Sequence, residues 1–235
     1  MKVEIVETSL LARHVAARIA AQLREAVETR GIATLALSGG GGLEPMFTTL
    51  AALRLPWDRI HVFQADERVA PDGHADRNWT AASSQFLARL PRPLAGAYPM
   101  PVVEVLEGDE DAAQAAADRY LEVLQEVAGH PAVLDVVHLG LGDDGHTASL
   151  IPGDPVLEID GHDVAVTGPY EGRRRMTLTY PALARARQIV WLVSGASKAE
   201  AVAQLVRNDG SAPAARVRRD TATLLVDPHA AVALR

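Results

Sequence analysis

Residues 138–152 read HLGLGDDGHTASLIP, placing one histidine, His146, beside Asp143 and Asp144 on a turn that carries Gly140, Gly142 and Gly145 behind an apolar run. An imidazole ordinarily titrates near neutrality, so it can take a proton from water, and an adjacent carboxylate fixes which ring nitrogen is free to do so. Asp144 is the natural partner. His138 reads differently: it lies inside the apolar run and alternates with Val136, as a core or supporting histidine would. Gly140, Gly142 and Gly145 have the G-x-G-x-x-G spacing of a dinucleotide loop, but Asp143 and Asp144 would face the pyrophosphate and repel it.

Three further polar groups follow apolar runs, and an arginine triplet precedes one. Ser38, Gly39, Gly40, Gly41 and Gly42 precede a helical pattern, where backbone N–H groups can approach an anion that also feels a helix N-terminus. No Gly-Lys-Ser/Thr follows, so this is not a P-loop. Asp66, Glu67 and Arg68 offer a carboxylate and a guanidinium, although the triplet alone reads equally well as a solvated charge cluster. Arg173, Arg174 and Arg175 lead into MTLT, and Lys198 stands in SGASK; a guanidinium suits bidentate phosphate binding. There is no H-E-x-x-H or other metal spacing and no G-x-S-x-G elbow. The chemistry expected is that of one histidine base among several anion-binding groups, with no metal and no cofactor.

The elements that must position these groups alternate. Val15, Ile19, Leu23 and Val27 recur at helical spacing until Gly31, behind Thr8 and Ser9 as candidate N-caps. Apolar strands are expected at 34–37, 60–63 and 134–139, and again in RMTLT, QIVWLVS and TLLVD. Helices are expected near 46–53, 79–90, 110–127 and 197–206, the third introduced by the acidic GDED. PRPLAGAYPMP reads as a surface connection. This order predicts an α/β fold, a parallel or mixed sheet with helices on both faces, and ligands in such folds gather where the strands end. The polar motifs all follow strands, with SGGGG and ADER expected as loops.

The chain has 235 residues, a length that one α/β domain (1–235) accommodates. Its net charge of -7, with basic residues dispersed, argues against a nucleic-acid partner. The absence of cysteine, of an apolar signal core and of any run near the roughly 20 residues that cross a bilayer gives the expectation of a cytoplasmic protein with no membrane partner.

Taken together, these blocks resemble the 6-phosphogluconolactonase family. GLGDDGHTASLIPG is similar to its glycine-rich D-G-H-T-A-S-L-F-P signature, and ADERVAP with Asn78, RMTLT, SGASKAEAV, PAARV and LLVDPHAA follow in the family's order. The resemblance implies a modified Rossmann-like sandwich, shared with glucosamine-6-phosphate deaminases and ribose-5-phosphate isomerases. It implies hydrolysis of a small sugar phosphate lactone, 6-phospho-D-glucono-1,5-lactone, in the oxidative pentose phosphate pathway. On it, His146 is the base, Asp144 orients it, Arg175 and Lys198 hold phosphate, Ser38, Gly39 and Gly40 form the glycine loop, and Asp66 and Arg68 line the site. The chain departs from S-G-G-S-T-P in having Gly41 and Gly42 where the family has hydroxyls. A related deaminase would carry D-G-H-I-A-F-N-E-P, whose glutamate falls at Ile151 here. A sugar-phosphate-sensing regulator would carry a helix-turn-helix extension, whereas this sequence opens almost directly on its first strand and helix.

Overall fold

The computed structural model describes residues 1–208 and 210–234. In chain order the elements begin with β1 (Lys2–Ile5), α1 (Thr8–Arg30), β2 (Ala33–Leu37), α2 (Glu44–Ala52) and β3 (Ile60–Gln64). Next come β4 (Asp66–Arg68), α3 (Asn78–Gln85), β5 (Gly96–Tyr98), α4 (Glu110–Ala128) and β6 (Val136–Leu139). The chain then forms β7 (Val164–Val166), β8 (Arg175–Leu178), α5 (Tyr180–Arg185), β9 (Gln188–Val193), α6 (Ala199–Arg207) and β10 (Ala222–Val226).

Seven strands form one sheet in the order β1-β10-β9-β6-β2-β3-β5, with every pair parallel. Strands buried on both faces are continuously apolar, and here alternate residues face different cores. Leu35, Val62, Val136, Val190 and Leu225 pack with α1 and α2. Their neighbours Ala36, Phe63, Val137, Trp191 and Leu224 pack on the other side with α4 and α6. Val164, Met176 and Leu178 of the antiparallel β4-β8-β7 sheet join that second core.

Because the large sheet is parallel, the loops after β2, β3, β6 and β9 emerge on one edge, from strands that are neighbours. That is where the polar motifs lie.

Several local expectations are corrected. Thr8 and Ser9 fall inside α1, whose N-cap is Glu7 with no side-chain cap. The Thr8 hydroxyl instead donates to Asp227 Oδ2 at 3.2 Å. Gly31 does end the helix, at φ 83. PRPLAGAYPMP contains β5, the edge strand on β3, since its Gly-Ala-Tyr segment lies between the prolines and can pair. The DER triplet is strand as well as loop, pairing antiparallel with β8, and Glu67 is wholly buried, so it is no solvated cluster. The 79–90 helix stops at Gln85 and passes into a 3-10 turn. GDED behaves as expected: Asp109 caps α4, accepting from Ala112 N at 3.0 Å.

Candidate active site

One cavity of about 380 Å³ opens at the strand-end edge, lined by Ser38, Gly39, Gly40, Asp66, Arg68, His146, Arg175 and Lys198 among others. Of the site residues that the family resemblance implies, only Asp144 lies outside its wall, and Asp144 touches His146 directly. Its Oδ1 is 2.6 Å from His146 Nδ1 and accepts from the His146 backbone N–H at 3.1 Å. Ring and backbone of the histidine are thus held by one oxygen.

The turn is built for this contact. Gly142 N–H donates to His146 O at 2.8 Å, and Thr147 Oγ1 donates to Gly140 O at 2.9 Å. A Cβ on Gly142 would overlap the His146 ring and Asp144 Oδ1, so only glycine leaves room for the pair. Gly39 has a like role: a Cβ there would overlap Asn78, whose Nδ2 donates to Asp66 O at 3.0 Å.

Tyr170, which the sequence reading did not single out, completes the arrangement. Its hydroxyl donates to Asp144 Oδ2 at 2.9 Å, and its ring meets the His146 ring edge-on at 5.4 Å between centroids. The Arg175 guanidinium lies 4.8 Å from the same ring's centroid. Burial pushes the Asp144 carboxyl up, but the bonds and charge of His146 and the Tyr170 hydroxyl outweigh it, holding the group below the usual carboxylate range. Burial and then the Asp144 carboxylate push Tyr170 up to about 12, so it remains a donor at any working pH. An ionised Asp144 can only accept, which puts the His146 proton on Nδ1 and leaves Nε2 as the basic nitrogen.

Three cations face the cavity. Arg175 is buried, with Nη2 donating to Glu171 Oε2 at 2.7 Å and Nε without a protein partner. Arg173 and Arg174 turn away, to Asp76 and Glu110 at 2.7 and 2.9 Å. Arg68 Nη1 donates to the Asp76 carbonyl at 2.9 Å. Lys198 pairs with Asp143, whose carboxyl the ammonium holds below its ordinary range.

Ser38 Oγ is buried without a protein partner, and Ser38 N–H donates to His138 O at 3.2 Å. Asp66 Oδ2 accepts from Ser149 Oγ at 2.9 Å.

Two supporting carboxylates, Glu67 in ADERVAP and Asp227 in LLVDPHAA, lie in blocks marked in the sequence without a role of their own. Glu67 accepts from Arg68, Asn78 and Trp79 N–H groups at 2.8, 2.7 and 2.9 Å, tying β4 to the start of α3. Asp227 accepts from Ser194 Oγ at 2.7 Å and Gly195 N–H at 3.2 Å, fixing the loop that ends in Lys198. His138 is fully buried, and burial brings its imidazole down to about 4, a core group rather than a base. Among the described residues no group of three or more His, Asp or Glu forms a candidate metal site, and no helix is long and apolar enough to cross a membrane.

A parallel sheet with a glycine loop, a His–Asp pair and three cations around one strand-end cavity defines an α/β protein of the phosphosugar-enzyme type. The sequence pattern of the glucosamine-6-phosphate isomerases/6-phosphogluconolactonase family matches residues 7–226, and the chain belongs to that family. A 6-phosphogluconolactonase of Synechocystis is 39% identical over 187 residues, covering 80% of this chain and 77% of the relative. The crystal structure of 6-phosphogluconolactonase from Leishmania guyanensis superposes with a TM-score of 0.85 at 26% identity, covering 97% of each chain. A monomeric glucosamine-6-phosphate deaminase shares the fold, with a TM-score of 0.83 at 21% identity over 99% of this chain and 100% of the deaminase. The fold therefore spans both activities, and the residues must choose between them.

Proposed function

We propose that the chain hydrolyses 6-phospho-D-glucono-1,5-lactone to 6-phospho-D-gluconate, with His146 as general base. The observation that carries this reading is the Tyr170–Asp144–His146 chain of hydrogen bonds ending at a cavity lined by Arg68, Arg175 and Lys198. His146 Nε2 takes a proton from water as its oxygen attacks the lactone carbonyl carbon. Asp144 stabilises the imidazolium that forms, and Tyr170 holds Asp144. Collapse of the tetrahedral intermediate breaks the bond to the ring oxygen, which takes up the proton as a hydroxyl. Arg175 and Lys198 hold the phosphate, with the backbone N–H groups of Gly39 and Gly40 and the unpartnered Ser38 hydroxyl beside it; backbone donors of this kind make up for the hydroxyls missing at Gly41 and Gly42. Arg68 adds positive charge to the same cavity, and Asp66, bonded to Ser149, anchors the wall that carries it. Residues 1–235 are read as one functional unit, since one buried cluster joins both sheets.

The deaminase reading lacks its titratable group. Ile151 stands at that glutamate's place, a buried apolar side chain only 4% exposed. Incubation with fresh lactone against glucosamine 6-phosphate tests the assignment. Acid release above the spontaneous rate from the lactone, with no ammonia from the amino sugar, is expected; the reverse result contradicts it.

A further inference from the structure

Arg175 and Lys198 are each already paired, and each with a carboxylate on an exposed turn. The Arg175 side chain is 3% exposed, whereas its partner Glu171 is 69% exposed. Lys198 is 26% exposed and its partner Asp143 is 65% exposed. Glu171 and Gly172, at φ 50 and 79, are the central residues of a two-residue turn closed by Tyr170 N–H to Arg173 O at 2.9 Å and Arg173 N–H to Tyr170 O at 3.2 Å. Positive φ at both positions is what such a hairpin turn demands, and the turn delivers the Glu171 carboxylate to Arg175. Asp143 sits immediately before Asp144 on the His146 turn.

A buried guanidinium needs a counter-charge whether or not ligand is bound, because an unpaired charge away from water is costly. A carboxylate on a solvated side chain meets that need while binding only weakly. We propose that Glu171 and Asp143 are resident counter-ions that the incoming phosphate displaces, so that this site admits dianions by exchanging two negative charges for two. The inference rests on the phosphate seat assigned above. A phosphate monoester carries close to two negative charges at neutral pH and can satisfy both cations at once. A monoanion replaces one carboxylate, and a neutral sugar lactone replaces neither. Exchange requires only rotation of two exposed side chains, because Tyr170 keeps the turn pinned to Asp144 at 2.9 Å. Preference for the phosphorylated substrate is thereby set in part by acids that never touch it.

Calorimetric titration with inorganic phosphate tests the exchange in the intact chain, Glu171→Gln, Asp143→Asn and the double variant. Both substitutions keep size and backbone and lie on exposed side chains, and thermal melts confirm folding. Removing the competing carboxylate should tighten phosphate binding by about two- to fivefold at the more exposed Lys198, and by at least as much at Arg175, whose buried guanidinium is then left without a counter-charge. The double variant should gain close to the product of the two, with affinity falling more steeply as salt is raised. Unchanged or weaker phosphate binding in either folded variant overturns the proposal. Since the titration needs no turnover, normal phosphate exchange without lactone hydrolysis would sink the lactonase reading alone, and hydrolysis without the affinity gain would sink the exchange alone.

Discussion

Replacing Tyr170 with phenylalanine removes the hydroxyl that donates to Asp144 Oδ2 at 2.9 Å and keeps the ring that packs on His146 and under Arg175. A hydrogen bond to a charged group contributes about 1.5–3 kcal/mol when it is shielded. Asp144 is 36% exposed on its side chain, so water replaces part of what is lost, and about 1 kcal/mol remains. That corresponds to roughly a fivefold fall in kcat. The second carboxylate oxygen still holds His146 Nδ1 at 2.6 Å, which is why the loss stays well short of that from removing the base. KM should move little, since the hydroxyl serves the base and not the sugar. The assay is initial-rate lactone hydrolysis with the spontaneous rate subtracted. The Asp144→Asn, Tyr170→Phe double variant should lose no more than Asp144→Asn alone, because the hydroxyl acts through the carboxylate. A full additional fivefold loss in the double variant, or a change confined to KM, would refute the relay.

Gly142→Ala should lower kcat on the order of 100-fold with a melting temperature shifted only slightly, because the methyl displaces the imidazole while the backbone there is not left-handed; steady-state kinetics beside a thermal melt reads both. Arg175→Ala or Lys198→Ala should cost about 1.5–3 kcal/mol in kcat/KM toward the phosphorylated lactone and much less toward unphosphorylated gluconolactone, and equal losses on the two would contradict the phosphate seat. His138, held neutral down to about 4 by burial, makes the folded state refuse a proton that the unfolded chain accepts. Stability should therefore fall as pH drops from the ordinary imidazole range toward 4 and level off below it, and denaturant titrations of His138→Leu should lose that part of the acid slope.

The alternation of strands and helices was legible because strands buried on both faces must be apolar throughout, as in the IVW of β9 and the TLL of β10. The site motifs were legible for a related reason: glycines and charges directly after such strands have few structural excuses. The separation of β4, β7 and β8 into their own antiparallel sheet was not, since DER and VAV are three residues each and their pairing is set by distant partners. Glu67 stayed hidden because its burial depends on the N-terminus of α3, eleven residues away, returning to it. Tyr170 stayed hidden for the same kind of reason: its bond to Asp144 spans 26 residues of chain, and nothing in PYEGRRR marks it.

The most direct test is His146→Ala, assayed for enzyme-dependent hydrolysis of fresh 6-phosphogluconolactone alongside a binding titration with 6-phosphogluconate. A positioned base contributes on the order of 100- to 10,000-fold, so kcat should fall within that range while product binding changes far less. A variant that binds 6-phosphogluconate normally and keeps near-wild-type kcat would remove His146 as the base and shift that role to Asp66.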